Sequence, residues 1–336
     1  MKKLSISKKS IWNIAKYFIA AIPIIWVFKR LDFSDFLQTF PQIAWWTIPL
    51  LIVSLLTSIT LQGVRWWMML RSLVPDLSFK KTIAYHYIGL FYSIALPAGN
   101  VAQDVVKSLL LSQKIGYGTV WGATWICRIL GLIALALLSL YGLFSIPASV
   151  LPKGFVPAVI IAFCVCALLV VVSFSKRITR PFRSLIEKIT PKKFLQIPQT
   201  IRDGIYNYRD KKSELFTVFL VTIVTQFSMI MGSCFLVWGI SGRFCFAEML
   251  AFIPIIEVIS MSVPITPNGM GIREILTALM FKQIGLSNET LGVYVVIILF
   301  FTVAIRLVGG VFVVHGMVKN RSVKKNISDD GRGSAP

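Results

Sequence analysis

Apolar residues recur along the chain in long runs that are separated by short polar segments. Runs of roughly 17 to 25 residues can cross the ~30 Å hydrocarbon layer of a bilayer as an α-helix. Because such runs follow one another along the whole sequence, the pattern predicts an all-α integral membrane protein, with one polytopic domain over residues 1–336. Six full spans are predicted, at 11–28, 43–64, 119–143, 154–175, 214–240 and 291–315.

Two further apolar segments, 82–114 and 247–284, are interrupted near the middle by proline and glycine. The interruption in the second reads V-P-I-T-P-N-G-M-G-I-R-E, from Val263 to Glu274. Proline lacks a backbone N–H and clashes with the preceding helical turn, and glycine adopts conformations that other residues avoid. We therefore predict that each segment is a broken, re-entrant helical hairpin that enters and leaves the membrane on the same side.

The two broken segments resemble each other in sequence. Residues 97–106 align with 267–276 at a constant offset of 170, and a proline, a glycine and an acidic residue coincide. Lys-Ile-Gly and Gln-Ile-Gly then follow at matching places, and the next span carries an arginine in each case, Arg128 and Arg306. If the hairpins enter from opposite faces, the halves are inverted repeats. The repeats are predicted at about 43–143 and 214–318.

Composition and charge fit a membrane protein and give it an orientation. The chain is 56% hydrophobic and 15% charged, well outside the usage of soluble domains. A net charge of +21 is explained by basic residues in cytoplasmic loops, so no nucleic-acid partner is predicted. Both termini are then cytoplasmic, 176–212 is a basic cytoplasmic loop, and the tail 326–336 is expected to be disordered.

The tips of the two hairpins are predicted to share one polar site. Non-helical backbone at membrane depth is tolerated only where it is buried in protein or lines a water-filled cavity. Asn100 and Gln103 have capping-box spacing, which predicts a half-helix from Val101. Gly269 and Gly271 permit a sharp turn before a second half-helix. Both half-helices would direct their positive N-termini at the midplane, which suits an anion.

Charged side chains within spans are costly and by default indicate function. Asp104 with Arg128, and Glu274 with Arg306, are interpreted either as structural ion pairs or as parts of the site. Arg273 is expected to contact the ligand, because its planar fork suits a phosphodiester. The predicted ligand-binding residues are Asn100, Asp104, Lys107, Arg128, Asn268, Gly269, Gly271, Arg273, Glu274 and Arg306.

A second group of side chains carries more specific expectations. For Lys107, extension of the ammonium group toward the cytoplasmic surface is favoured over ligand contact. Glu257 is a candidate proton carrier or a hydrogen-bonded packing residue. His86 is expected at the membrane interface, and tryptophans 45, 46, 66 and 67 are expected in aromatic belts at the two ends of one span.

No enzyme constellation emerges from the sequence, and no metal site or cofactor is predicted. The five cysteines have no metal-ligand spacing and are interpreted as packing residues. An intramembrane transferase that uses Asp104 or Glu274 as a base stays open.

Residues 15–318 resemble the flippase-like transmembrane family that includes the membrane half of bacterial lysylphosphatidylglycerol synthetases. The run from Pro267 to Glu274 is close to the family's P-x-G-x-G-x-R-E. The first motif departs from the family's G-D-x-x-R, and Cys127 stands where the family usually has glutamate before Arg128. The family's soluble aminoacyl-transferase domain has no counterpart here, so lysyl transfer is not carried over.

The resemblance implies an inner-membrane protein that binds an anionic phospholipid or a polyprenyl-linked lipid and translocates it between leaflets. Two alternatives stay open. One is a membrane transferase or an accessory subunit of lipid-linked glycan assembly, and the other is a proton-coupled carrier of a small anion that uses Glu257. The sequence leaves open whether the protein forms a homo-oligomer or binds a partner membrane enzyme.

Overall fold

The structure is a computed structural model that describes residues 43–96, 99–174, 196–262 and 271–330. The predicted first span at 11–28, most of the predicted basic loop and the tips of both broken segments lie outside these residues. Asn268 and Gly269, two of the predicted site residues, belong to the second tip and therefore also lie outside them.

Across this part of the chain the regular structure is helical, as the apolar runs predict. A short 3-10 turn, Ala148–Val150, precedes the fifth helix. The α-helices are α1 (Thr47–Arg71), α2 (Phe79–Ala95), α3 (Gly99–Ile115), α4 (Tyr117–Ser145), α5 (Phe155–Phe174), α6 (Gln196–Tyr206), α7 (Lys212–Ser241), α8 (Phe246–Ser262), α9 (Ile272–Gln283) and α10 (Asn288–Asp330).

Among the described residues, four helices are long and apolar enough to cross a bilayer, namely α1, α4, α7 and the first part of α10, Asn288–Val314. A span needs ~20 predominantly apolar residues, and each of these helices exceeds that length. They coincide with four of the predicted spans, which confirms a multi-pass membrane protein. Helix α5 occupies the place of the span predicted at 154–175, and the total number of spans stays a prediction.

Both broken segments are interrupted where the sequence predicts. Helix α2 gives way to extended backbone at Leu96, with φ −89° and ψ 142°, and α3 begins at Gly99. Helix α9 begins at Ile272, as predicted, after Gly271 with φ 89°. The predicted start of α3 at Val101 is wrong by one half-turn. Asn100 lies inside the first turn of α3, and its Oδ1 accepts a hydrogen bond from Arg306 Nη2 of α10 at 3.4 Å.

Helices α1 and α7 pack side by side and run in opposite directions. Near the start of α1 the backbone N–H of Ala44 donates to the carbonyl of Gly239, 2.8 Å away, close to the end of α7. Toward the end of α1, Arg65 Nη1 donates to Thr222 Oγ1, 3.3 Å away, in the first half of α7. Residue numbers increase along α1 while those of its contacts on α7 decrease, so the two helices are antiparallel.

The long helix that follows each broken segment packs against the first arm of the other segment. Helix α10 lies on α2, where the rings of Tyr87 and Phe312 stack at 5.7 Å. Helix α4 lies on α8, where Ser139 Oγ donates to the carbonyl of Ala251 at 2.9 Å. The first arm of each broken segment is therefore packed against the long helix that follows the other broken segment.

A glycine with positive φ joins the second arm of each broken segment to the next long helix. Gly116 has φ 93° between α3 and α4, and Gly285 has φ 78° between α9 and α10. L-residues rarely adopt this conformation, whereas glycine does so without steric cost. The two Ile-Gly pairs noted in the sequence therefore occupy the same structural role.

Two peripheral segments contain helix that the sequence pattern does not predict. Helix α6 lies within the predicted polar loop, and Tyr208 just after it is buried and donates from Oη to the carbonyl of Thr119, 3.1 Å away. This part of the loop packs on α4. Helix α10 continues to Asp330, so 326–330 of the expected disordered tail are helical, because no proline or glycine interrupts the sequence between Gly316 and Gly331.

Buried apolar side chains form two clusters. The larger involves α7, α8 and α10. The smaller lies where α1, α3, α4 and α6 meet, and it contains Trp66, which is fully buried. The expected place of Trp66 in an aromatic belt is therefore wrong, because α1 continues beyond the predicted end of its span and carries this ring into the interior.

Close contact between α10 and α2 depends on Gly309. A Cβ atom built at this position would lie only 2.0 Å from the carbonyl oxygen of Tyr87. We expect Gly309→Ala to force the helices apart and to lower the free energy of unfolding by about 1–3 kcal/mol. Thermal denaturation of the purified protein measures the effect. Val311→Ala, at an exposed position on the same helix, is the control, and equal melting temperatures for the two variants would contradict the proposed contact.

Candidate functional site

A cavity of about 290 Å³ lies inside the helical bundle, and both broken segments line it. It is bordered by α1, α2, α3, α4, α7, α8, α9 and α10, and residues of both apolar clusters contribute to its wall. The second arm of each segment supplies polar side chains, Asn100, Asp104 and Lys107 from α3, and Arg273 and Glu274 from α9. The described part of the structure thus brings the two predicted half-sites together.

Charged side chains are concentrated in this cavity. Three carboxylates line it, and basic residues outnumber them. The acidic residues are Asp104, Glu257 and Glu274, and the basic residues are Arg65, Lys107, Arg128, Arg273 and Arg306. Because each of these charges is costly in an apolar surrounding, their convergence on one cavity marks it as the candidate functional site.

Asp104 is the centre of the first charge cluster. Its carboxylate contacts Lys107 Nζ at 2.7 Å and Arg128 Nε at 3.2 Å. The predicted pair between Asp104 and Arg128 is therefore present. The Lys107 ammonium lies 4.8 Å from the ring centre of Trp66, and the residue is only 5% exposed. The expected extension of Lys107 to the membrane surface is wrong, because the carboxylate and the aromatic face hold its charge inside.

Neutral hydrogen bonds surround this cluster. Trp66 Nε1 donates to Thr124 Oγ1 at 2.9 Å, on the helix that carries Arg128. His86 is fully buried, with Nε2 3.0 Å from the carbonyl of Ile59 and Nδ1 3.4 Å from Gln103 Nε2. His86 is therefore not an interfacial residue, because it fastens α2 to α1 and α3. Gln103 makes this contact and is not part of a capping box.

The second charge cluster contains Glu257, Arg273 and Glu274. Arg273 Nη2 lies 3.0 Å from Glu257 Oε2, so the ligand candidate and the proton-carrier candidate form an ion pair. Glu274 accepts a hydrogen bond from the backbone N–H of Gly271 at the start of its own helix. The N-terminus of α9 is thus partly satisfied by a side chain from within the helix.

Arg306 reaches across to the first broken segment. Its Nη1 donates to Ser93 Oγ at 2.7 Å, and its Nη2 donates to Asn100 Oδ1 at 3.4 Å. The predicted pair of Arg306 with Glu274 is wrong for two reasons. Helix α10 packs on α2, which directs the guanidinium toward the first segment, and Glu274 is already engaged as a cap.

Arg65 is a cavity residue that the sequence interpretation missed. Basic residues near span ends were assigned to the cytoplasmic surface, and the span was predicted to end at 64. Helix α1 continues to Arg71, so Arg65 lies within it and lines the cavity. A signal was present, because Ser58, Gln62 and Arg65 recur at helical spacing on one face of an otherwise apolar helix, and all three line the cavity.

Cys127 lies beside Arg65. Its Sγ is 3.9 Å from the carbonyl oxygen of Arg65, and the side chain is buried. A thiol at this position supplies no carboxylate to Arg65, whereas the neighbouring Arg128 has Asp104 as its partner.

Removal of the Asp104 carboxylate should destabilise the protein, because it leaves Lys107 and Arg128 without their counter-charge. Breaking a buried ion pair from one side costs up to about 3–5 kcal/mol. We expect Asp104→Asn to lower the melting temperature, and the double variant Asp104→Asn/Arg128→Gln to recover part of the loss.

The exposed pair between Lys211 and Glu214, 3.9 Å apart, provides the control. Glu214→Gln should change the free energy of unfolding by less than ~1 kcal/mol. An Asp104→Asn variant as stable as Glu214→Gln would show that Asp104 does not hold this cluster together.

Comparison with known proteins gives the chain a family. Residues 13–310 match the family described as Lysylphosphatidylglycerol synthase TM region. A curated relative, UPF0104 membrane protein PH1989 of Pyrococcus horikoshii, is 24% identical over 267 residues, which cover 72% of this chain and 78% of the relative. No solved structure matches the chain. Because the family match extends over most of the sequence, this protein is a member of the Lysylphosphatidylglycerol synthase TM region family.

Proposed function

We propose that this protein binds the anionic headgroup of a membrane lipid in the central cavity and moves the lipid between leaflets. The observation that carries the proposal is the convergence of both broken segments on one cavity with more basic than acidic side chains. Charged groups inside an apolar bundle cost free energy unless they pair with one another or with a ligand. An anionic ligand gives the surplus basic residues a partner.

We also propose that the two halves are inverted repeats. Helices α1 to α4 and α7 to α10 follow the same order, and corresponding helices α1 and α7 run antiparallel. The contacts of α10 with α2 and of α4 with α8 are reciprocal, as a two-fold relation requires. Such repeats support alternating access, in which one half rocks against the other around a fixed site.

The proposed topology follows the sequence. By the positive-inside rule we propose that both termini lie in the cytoplasm and that the membrane is the cytoplasmic (inner) membrane. We propose that the second arms of the two segments approach the cavity from opposite faces, so that headgroups from either leaflet meet the same basic residues. This arrangement is the one that translocation needs.

A lipid fits the wall of the cavity better than a small hydrophilic anion does. Apolar side chains from several helices stand between the charges, among them Leu55, Leu132, Met229 and Ile298. A lipid headgroup enters with the first carbons of its chains, which these residues would contact. The basic side chains and the apolar wall therefore suit the two parts of one amphipathic ligand.

A lipid-binding accessory subunit or transferase of lipid-linked glycan assembly is the main alternative. It would retain the lipid in the same cavity without exchange between leaflets. The third reading, a carrier that uses Glu257 as its proton site, is not favoured by the contacts. Glu257 pairs with Arg273 at 3.0 Å, so its carboxylate is already engaged in a contact between α8 and α9.

Leaflet exchange in reconstituted vesicles tests the proposal. Purified protein is incorporated into phosphatidylcholine liposomes that contain a fluorescent anionic lipid, and dithionite quenching reports the fraction of label that changes leaflet. We expect faster exchange than in protein-free vesicles, and a rate at least about tenfold lower for Arg306→Gln, since a charge-assisted hydrogen bond contributes ~1.5–3 kcal/mol.

Arg71→Gln is the matched control, because Arg71 is an exposed arginine at the end of α1 and does not line the cavity. It should exchange lipid at the unaltered rate. Exchange no faster than in empty vesicles, for a panel of anionic lipids, would overturn the translocase proposal. A lipid retained through purification in that case would favour the accessory subunit or transferase.

Glu257→Gln separates the ion-pair role from a proton-carrier role. The substitution removes the partner of Arg273, so we expect a lower melting temperature. Because exchange does not depend on protonation of Glu257 in our proposal, the ratio of exchange rates at acidic and neutral pH should equal that of the unaltered protein. Loss of the pH dependence in this variant would support the proton-coupled carrier instead.

A further inference from the structure

Two of the five basic side chains in the cavity lack a carboxylate partner in the described part of the chain. The other three pair with Asp104 or Glu257. Arg65 and Arg306 have no carboxylate oxygen within ion-pair distance among these residues, and their hydrogen-bond partners are neutral hydroxyl and amide groups. Their charges are therefore the ones that remain for a ligand.

The same cavity holds buried donors that no described group accepts. The Nε atoms of Arg65, Arg273 and Arg306 are buried without a hydrogen-bond partner. Arg306 as a whole is only 6% exposed. Buried guanidinium N–H groups normally find acceptors. Three arginines that line the cavity thus each keep one donor without an acceptor among the described residues.

The charge of the cavity indicates how much charge that ligand carries. Its described lining has two more basic than acidic side chains. The segment tips outside the described residues, 97–98 and 263–270, contain no ionisable side chain in the sequence, so they leave this excess unchanged. In surroundings of low dielectric, an uncompensated charge is costly. A ligand with two negative charges balances the site, whereas one with a single negative charge leaves a cation unpaired.

We propose that the cavity binds a phosphate-containing headgroup with two negative charges, with Arg65 and Arg306 as direct ligands. The chemical class is a phosphomonoester or a diphosphate diester attached to a lipid. One arginine comes from each half of the molecule, and each presents a planar fork to phosphate oxygens. This inference rests on the proposed function. It narrows the substrate from any anionic lipid to lipids with two negative charges, since a lipid with a singly charged phosphodiester would bind more weakly.

Binding of two lipids that differ in headgroup charge tests the proposal. Phosphatidic acid carries a phosphomonoester, and phosphatidylglycerol with the same acyl chains carries a singly charged phosphodiester. The affinity of each for the purified protein is measured by fluorescence quenching in mixed micelles of a neutral detergent. We expect phosphatidic acid to bind at least about tenfold more tightly at about pH 8, where its second ionisation, near pKa ~6, is complete.

Two further measurements identify the source of the affinity. At about pH 5 the phosphomonoester takes up a proton, since its second pKa is ~6, and the preference for phosphatidic acid should disappear while arginine stays charged. Inorganic pyrophosphate is then added as a competitor. Displacement of the lipid by pyrophosphate shows that the phosphate group alone is recognised, whereas lack of displacement shows that the acyl chains are also required.

Substitutions of the two arginines test whether each contacts the phosphate group. Arg65→Gln and Arg306→Gln should each weaken phosphatidic acid binding about tenfold or more, and Arg71→Gln should not. If either glutamine variant fails to fold, Arg65→Lys and Arg306→Lys keep the charge without the fork and should show a smaller loss.

Cys127 offers a matched pair of substitutions beside Arg65. Cys127→Glu supplies a carboxylate that removes part of the positive excess, and Cys127→Gln has nearly the same shape without the charge. We expect the glutamate variant to bind phosphatidic acid at least about tenfold more weakly than the glutamine variant, since an opposing charge of this kind is worth more than ~1.4 kcal/mol.

Equal affinities for the two lipids, or equal binding by the two Cys127 variants, would overturn this inference. If both lipids are also exchanged between leaflets, the proposed function stands without it. If neither lipid binds and no anionic lipid is exchanged, the inference and the proposed function both fail.

Discussion

The structure depends on the requirement that buried charges find partners inside the bundle. Asp104 holds Lys107 and Arg128 together, and Glu257 holds Arg273. A charge left alone in an apolar interior costs several kcal/mol, so these contacts restrict how the helices that carry them can be arranged. The breaks in the two segments obey the same requirement, because backbone freed from a helix must face protein or a polar cavity.

Local features of the sequence were sufficient to predict four long spans and the start of α9. Apolar length identified the long spans, and proline with glycine identified the breaks, since both act within one or two helical turns. The start of α9 after Gly271 follows from this chemistry, as do the turns at Gly116 and Gly285. The convergence of the two broken segments on one cavity also followed from a general argument, that interrupted backbone needs a polar surrounding.

Charge partners were harder to predict, because they depend on which helices pack together. The repeat pattern paired Arg306 with Glu274. Because α10 packs on α2, the guanidinium instead contacts Ser93 and Asn100. Arg65 was missed for a related reason, since a rule for loops was applied to a residue that α1 carries inward. In both cases the nearest partner in space comes from a distant part of the sequence.

If the halves are inverted repeats, similar backbones carry different chemistry. At the offset of 170, Glu257 and Arg273 correspond to Tyr87 and Gln103. The second half therefore has an ion pair where the first has neutral groups, which bond to other helices through the Tyr87 hydroxyl and the Gln103 amide. In the sequence, the positions matching Ser93 and Asn100 hold Val263 and Met270, whose side chains lack the hydroxyl and amide groups that accept from Arg306. The side-chain groups that receive Arg306 are therefore not repeated in the second segment, and a rocking motion between the halves would start and end in chemically unequal states.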